Sequence, residues 1–399
     1  MDTLIKFYDK DVLKNIVAPL TLLPDKMVYL YDSGMEDLNA FRSLEKCFHK
    51  HKAEMIVESH PVDIMSVESM CSKIRDILHD NDKESCSLEI VGGSELMLIA
   101  GYRTSRAADI PILHTDLMQK EIRDLETGEL VATTKKLSLE DFIHAKGACF
   151  MGESHKPPAE ENFASIKKMA QYLFTHLQEW KETCTYLQTI VAQTAPEELY
   201  MKGNTNIHTK YGRAAAPNIK VLRAFLEHGF ITKLKTKGNH LSFTFTSLEA
   251  RQYAINYGVW LELYVYVSAM EAGVFDDVKL GTMIDWDAYD GVKIGGNEID
   301  VLLMDDSLPV FISCKLRDAD TAALNELLIG KKRLGGWFSK GIIVAFGKDK
   351  EVLKGTSHRA KELGLEILDG SDILADDFAE RLHKTIKGHD LVSLKWKKI

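Results

Sequence analysis

The sequence predicts an α/β protein in three parts: a doubly wound parallel sheet, a helical connector with a β-wing, and a mixed sheet flanked by helices. Three observations predict it. Residues 1–150 alternate short apolar, β-prone runs with amphipathic stretches, the pattern of strand–helix–strand units. The polar, proline-bearing stretch "GESHKPPAEEN" (152–162) then breaks that pattern. Beyond residue 257 the order becomes helix, strand, hairpin, helix, strand, helix, strand. The expected domains are residues 1–155, 156–250 and 251–399.

In the first part the expected strands are "LIKFY" (4–8), "MVYLY" (27–31), "EMIVE" (54–58), "SLEIV" (87–91) and "IPILH" (110–114), with helices near 36–52 and 67–80 between them. Continuous apolar strands are buried on both faces, which a parallel sheet requires. Ligands of such sheets bind outside the carboxyl ends of the strands. One of those ends carries "IVGGSELMLIAGY" (90–102), where two glycines admit close backbone approach and Ser94 opens a helix. A tight turn between strand and helix is the plainer reading of that loop, and a phosphate cradle is its alternative.

The connector reads as a helical block over 163–191, followed by "PNIKVLRAFLEHGFITKLKTKGNHLSFTFTSLEARQYAINYG". This is a helix, a hairpin turning near Lys237-Gly238-Asn239, and a return to helix, a winged-helix-like unit. Its Lys233, Lys235 and Lys237 either touch nucleic acid or form a solvated face.

Whole-chain properties narrow the class. At 399 residues, 45% hydrophobic and 27% charged, the chain has the composition of an ordinary globular protein. No apolar run reaches membrane-span length, and the start "MDTLIKFYDKDVLK" lacks a signal-peptide pattern, so a cytoplasmic protein with no membrane partner is expected. The six cysteines are widely spaced and form no CxxC pair, which speaks against a zinc site. A net charge of −9 excludes indiscriminate coating of nucleic acid but not a local basic groove.

The chemistry concentrates in "NEIDVLLMDDSLPVFISCKL" (297–316). Side chains alternate along a strand, so Glu298 and Asp300 share one face, as do Ser313 and Lys315. With a turn at Asp306-Ser307, Asp300 lies opposite Ser313 and Glu298 opposite Lys315. An acid patch beside an ammonium, in an apolar frame, suits a hard divalent cation acting on a phosphate. An ordinary surface ion pair is the plain alternative. The preceding helix, 257–273, buries Val259, Leu263, Tyr266, Val267 and Met270 as a stripe and sets Glu262 at its margin. Downstream, "GKKRLGGWFSK" (330–340) brings four cations and Trp337, read either as substrate contacts or as charge complementing a helix end.

"GVWLE" ahead of "NEID…FISCK" resembles the core of the restriction-endonuclease-like, PD-(D/E)xK nucleases, and "IVGGSELM" resembles the GG-(T/S)-x-x-M signature of Rossmann-like CARF domains. In that order, around a winged-helix-like connector, the motifs resemble the cyclic-tetra-adenylate-activated CRISPR ancillary nucleases over essentially the whole chain. The resemblance implies a homodimer, a cyclic oligoadenylate activator, a nucleic acid substrate (DNA and/or RNA) and Mn2+ or Mg2+. It makes Asp300 the principal metal ligand, Glu262 its helical support and Lys315 the catalytic lysine. Glu298 supplies further negative charge, and the backbone carbonyl of Cys314 a further ligand. Tyr8, Asp9, Lys10, Gly92, Gly93, Ser94 and Glu95 are the implied activator contacts. The departure is Ser313, where the family prefers an acid. The rival expectation is a ligand-responsive winged-helix DNA-binding regulator whose nuclease-like domain is inactive.

Overall fold

The computed structural model describes residues 2–36, 38–289, 297–336, 338–347 and 350–388. Two compact units account for the chain: Met1–Met151 with Ile284–Gly296 and Lys332–Ser339, and Gly152–Met283 with Asn297–Lys331 and Lys340–Ile399.

The first unit is built on a seven-stranded sheet: β1 (Thr3–Phe7), β2 (Lys26–Asp32), β3 (Ile56–Val62), β4 (Cys86–Glu89), β5 (Ile112–Asp116), β6 (Glu121–Asp124) and β7 (Leu130–Thr133), in the order β3-β2-β1-β4-β5-β6-β7. The first five strands are parallel, as their apolar runs predict, and β6 and β7 add an antiparallel hairpin that the sequence reading did not anticipate. Strand β3 continues through Pro61, which an edge strand tolerates because one of its backbone rows is unpaired. The chain runs outward from β1 through β2 to β3 and then crosses back to β4 on the other side of β1, so the switch point lies between β1 and β4.

The glycine loop follows β4 there. Gly92 and Gly93 both have positive φ (90° and 78°), and a Cβ on Gly93 would lie 2.8 Å from Met97 Sδ and 2.9 Å from Phe7 Cβ. Ser94 then caps the helix Glu95–Ala108 by accepting from the Met97 N–H.

In the second unit the helices Phe163–Thr175 and Leu177–Val191 precede β9 (Tyr200–Asn204) and two short strands, β10 (Ile207–His208) and β11 (Ala214–Ala215). The helix Ile219–Glu227, β12 (Ile231–Lys237), β13 (His240–Phe245) and the helix Leu248–Ala254 form the expected helix-and-wing, with β9 as a third strand in the order β12-β13-β9. A six-stranded sheet takes the order β18-β17-β16-β15-β14-β8, from β8 (Cys149–Glu153), β14 (Asp277–Asp285), β15 (Asn297–Asp305), β16 (Leu308–Lys315), β17 (Lys340–Ala345) and β18 (Glu366–Leu368).

The helix Val259–Ala272 is the centre of this unit. It starts after Gly258 and stops at Gly273, whose φ of 63° supplies the left-handed cap. Of the expected stripe, Val259, Leu263, Tyr266 and Val267 are buried and Met270 is half-buried, and the stripe is too narrow. Trp260, Leu261, Tyr264, Val265, Ser268 and Ala269 are buried too, because helices and sheet pack against it from several sides. Trp260 is fully buried, with Trp180, Phe225, Phe230 and Tyr253 around its ring and its Nε1 donating to Tyr253 O at 3.1 Å. The connector helices and the six-stranded sheet therefore share one core. Trp260→Ala should cost about 3–5 kcal/mol, read as a lower denaturant midpoint with one cooperative transition; two separated transitions would show that the core is divided.

Candidate active site

The β15–β16 hairpin turns through Asp306 and Ser307, both with positive φ (52° and 67°), and pairs Asp305 with Leu308 through Val301 with Ile312. Two left-handed residues match the twist of the strands, and the expected turn is the observed one. One step beyond this ladder, the backbone of β16 turns its donor to a side chain. Cys314 N–H donates to Asp300 Oδ2 at 2.6 Å, Ser313 Oγ donates to the same oxygen at 3.3 Å, and Lys315 Nζ lies 3.4 Å from it. Ser313 thus serves as a holder of the Asp300 carboxylate. Cys314 meets the site through its backbone, with its thiol buried and its pKa raised well above the usual range by that burial.

Glu262 rises from the first turn of the Val259–Ala272 helix, where the helix dipole favours an anion. Its Oε2 is buried without a hydrogen-bond partner among the described residues. Burial first, then the charges of Asp300 and Glu298, push its pKa up to about 8, against a weaker pull from Lys315. Asp300 is also raised, by burial, despite Lys315 and the Cys314 N–H. Burial lowers the Lys315 ammonium, but Asp300 and Glu326 outweigh it and hold it above the usual lysine value.

A seventh residue, which sequence reasoning missed, joins the cluster. His155, Glu262 and Glu298 each place one donor atom within 4.8 Å of the others. His155 follows β8 in the proline-bearing stretch read as a boundary. Its Nε2 lies 3.1 Å from Asn256 Nδ2, and Asn256 Oδ1 accepts from Gly258 N and Val259 N, so the amide faces the ring with its NH2 group. Burial lowers the imidazole pKa against the opposing charges of Glu298 and Asp300, which favours a neutral ring. Three carboxylates, one of them with the unpartnered buried oxygen of Glu262, and an imidazole fit a divalent cation, which takes oxygen donors and accepts a nitrogen. The structure therefore brings together Glu262, Glu298, Asp300, Ser313, Cys314 and Lys315, as the alternation of the hairpin and the helix margin imply.

The expected activator residues divide. Tyr8 and Lys10 line a cavity of about 250 Å³ in the first unit, with Ser43, Lys146, Trp286 and Tyr289. The Trp286 Nε1 donor is buried without a hydrogen-bond partner among the described residues. Asp9 instead accepts from Gly93 N at 3.0 Å, from Asp11 N at 2.8 Å and from Lys14 Nζ at 3.1 Å. The N–H of Gly93 is therefore committed to the protein, and its need for glycine comes from Phe7 and Met97 as much as from any ligand. Gly92, Ser94 and Glu95 stay at this switch-point loop, Ser94 as the helix cap.

The basic stretch 330–340 changes character in the fold. Lys340 is buried, 3.9 Å from Asp305 and donating to Ile386 O, and Lys331 donates to Gly364 O. Arg333 lies over the Trp286 ring at 5.5 Å. At least two of its four cations thus hold the fold, and Trp337 lies outside the described residues.

One pH dependence follows. In metal-free protein the folded state keeps a proton on Glu262 that the unfolded chain, at 4.5, has released. Stability should fall as pH rises from about 5 through about 8. Glu262→Gln should flatten this trend in melting temperatures recorded in EDTA; an identical slope in both proteins would remove Glu262 as its source.

Residues 249–386 match the sequence profile of the Card1-like endonuclease domain. No curated protein matches the chain. Among solved structures, protein VC1899 from Vibrio cholerae is 15% identical with a TM-score of 0.74, covering 97% of this chain and 98% of that one. Can2 from Sulfobacillus thermosulfidooxidans, in complex with cyclic tetra-adenylate, is 17% identical with a TM-score of 0.68, covering 97% and 99%. A type III CRISPR defence DNA nuclease activated by cyclic oligoadenylate is 12% identical with a TM-score of 0.51, covering 87% of this chain and 46% of that one. The acid–lysine hairpin thus lies in a segment that matches the Card1-like endonuclease domain, on a chain that shares the fold of VC1899 and Can2 over nearly its whole length.

Proposed function

We propose that the protein is a cyclic-oligoadenylate-activated, metal-dependent endonuclease of type III CRISPR antiviral defence, hydrolysing phosphodiester bonds of DNA and/or RNA. The observation that carries this reading is Asp300, held by Cys314 N–H and Ser313 beside Lys315, next to the His155–Glu262–Glu298 cluster. On this reading residues 1–155 are the sensor, 156–250 the connector and 251–399 the nuclease. The protein works as a homodimer that binds one cyclic tetra-adenylate through Tyr8, Lys10 and the switch-point loop. The activator acts through unequal affinity for an open and a closed arrangement.

Asp300 and Glu262 hold the cation, with Glu298 and His155 completing the donor set. Mn2+ or Mg2+ bound there supplies Lewis acidity toward the phosphate and a lowered pKa for the attacking water. The imidazole favours manganese of the two, because Mg2+ prefers an all-oxygen shell. The Lys315 ammonium offsets the charge that develops on the phosphate oxygens. Ser313 and the Cys314 N–H fix the direction of the Asp300 carboxylate.

The test is supercoiled plasmid and labelled RNA incubated with protein, Mn2+ and cyclic tetra-adenylate. Cleavage of either that needs both additions supports the reading; no cleavage of either substrate overturns it. Asp300→Ala and Lys315→Ala should each lower the rate by about 100-fold or more. Ser313→Ala should cost only roughly three- to tenfold, the worth of one ordinary hydrogen bond, because Cys314 N–H still holds Asp300 at the shorter distance. A loss in Ser313→Ala equal to that in Asp300→Ala would give the serine an essential role.

A further inference from the structure

The three-stranded sheet of the wing has an outward face that the catalytic cluster does not use. Along β13 the buried residues are Leu241, Phe243 and Phe245, so His240, Ser242 and Thr244 point outward. The register sets Ser242 between Lys235 on β12 and Lys202 on β9, and His240 between Lys237 and Asn204. Thr244 stands beside Tyr200, which is 49% exposed. Cross-strand neighbours are about 4.8 Å apart and alternate residues about 7 Å apart, so the three ammonium groups are spread over one face.

No outward position on these strands carries a carboxylate. The acid next to β9, Glu198, accepts from the Tyr200 N–H at 3.0 Å. Among the described residues, no ion pair engages Lys202, Lys235 or Lys237. An open groove of about 650 Å³ runs over this face, lined by Tyr200, Lys202, Lys235, Lys237, His240 and Ser242. In a chain of net charge −9, unmatched cations repel one another, and a sheet face of this kind stays soluble without them.

We propose that this face binds a single strand of nucleic acid. The lysines track successive phosphates, while the Tyr200 ring and the His240 imidazole offer flat faces on which bases stack. Ser242 and Asn204 hydrogen-bond to sugar or base edges without selecting one base. The strand is favoured over a duplex because Tyr200 and His240 line the groove beside the lysines, and stacking on their rings requires unpaired bases. The inference rests on the nuclease reading for the identity of the polyanion: the bound strand is substrate held away from the Asp300 cluster.

The experiment uses full-length protein carrying Asp300→Ala, so that nothing is cut, and a fluorescein-labelled single-stranded oligonucleotide in DNA and RNA versions. Anisotropy titrations at several salt concentrations compare this protein with one that also carries Lys202→Glu, Lys235→Glu and Lys237→Glu. Affinity should fall at least tenfold at roughly 0.1 M salt, and the salt slope should become shallower by about two, from three phosphate contacts at about 0.7 each. Tyr200→Ala should weaken binding roughly fivefold or more, and Tyr200→Phe should restore it. Equal affinity and slope in the lysine variants, with an unchanged melting temperature, would overturn the proposal. A duplex bound as tightly as the strand would overturn the single-strand assignment. Cleavage by the otherwise wild-type enzyme is scored separately, so absence of cleavage counts against the nuclease and absence of binding counts against the wing.

Discussion

Three carboxylates whose charges act on one another, Glu262, Glu298 and Asp300, stand beside one ammonium, Lys315, and the second unit is organised around that imbalance. Three negative charges less one positive leave two unmatched, the charge of a single divalent cation. Without the cation the unit has a cheaper state, in which Glu262 keeps a proton up to about pH 8. Desolvated like charges cannot all ionise at once, so protonation and cation binding are alternatives at one place. The surrounding frame has to hold these groups together against their repulsion.

That frame is the shared aromatic and aliphatic core. Trp180 Nε1 donates to Tyr257 O and Trp260 Nε1 to Tyr253 O, which ties the start of the Val259–Ala272 helix to the connector on both sides. Asn256 then caps the same helix start through its Oδ1 and faces His155 with its Nδ2. Glu262 and His155 are therefore positioned from one anchored turn. Asp300 is positioned from the opposite side by a hairpin whose register follows from its two-residue turn. A shift of one residue would turn Asp300 away from Cys314 and into the apolar face.

The legible part of this arrangement is the part carried by short-range geometry. Alternation placed Asp300, Ser313 and Lys315 on facing strands, and helical spacing placed Glu262 at a margin, because both signals lie within a few residues. His155 was not legible. It is separated from Glu298 by more than a hundred residues of chain and sits in a stretch whose prolines and glycine read as a boundary. The stretch 330–340 was legible only in part for a related reason: a lysine's sequence neighbours do not show that Lys340 will be buried beside Asp305. Likewise the five-residue stripe on the central helix understated its burial, since periodicity describes one packed face and cannot report several.

A buried charge in the first unit shows why imbalance, rather than burial, marks the site. Lys6 and Glu89 are fully buried on β1 and β4, beside the switch point, and their charged atoms are 2.5 Å apart. The second oxygen of Glu89 accepts from Thr115 at 2.5 Å, and Lys6 also donates to Lys14 O. Each charge has its opposite, and both Glu89 oxygens have a partner. Removing one member would strand the other, so this pair specifies how two central strands meet and has no vacancy for a ligand. Glu262 is the reverse case: a buried oxygen without a partner, among acids that outnumber their cations. Burial alone would have marked both places as sites; counting charges and hydrogen bonds leaves the hairpin as the one that calls for an external cation.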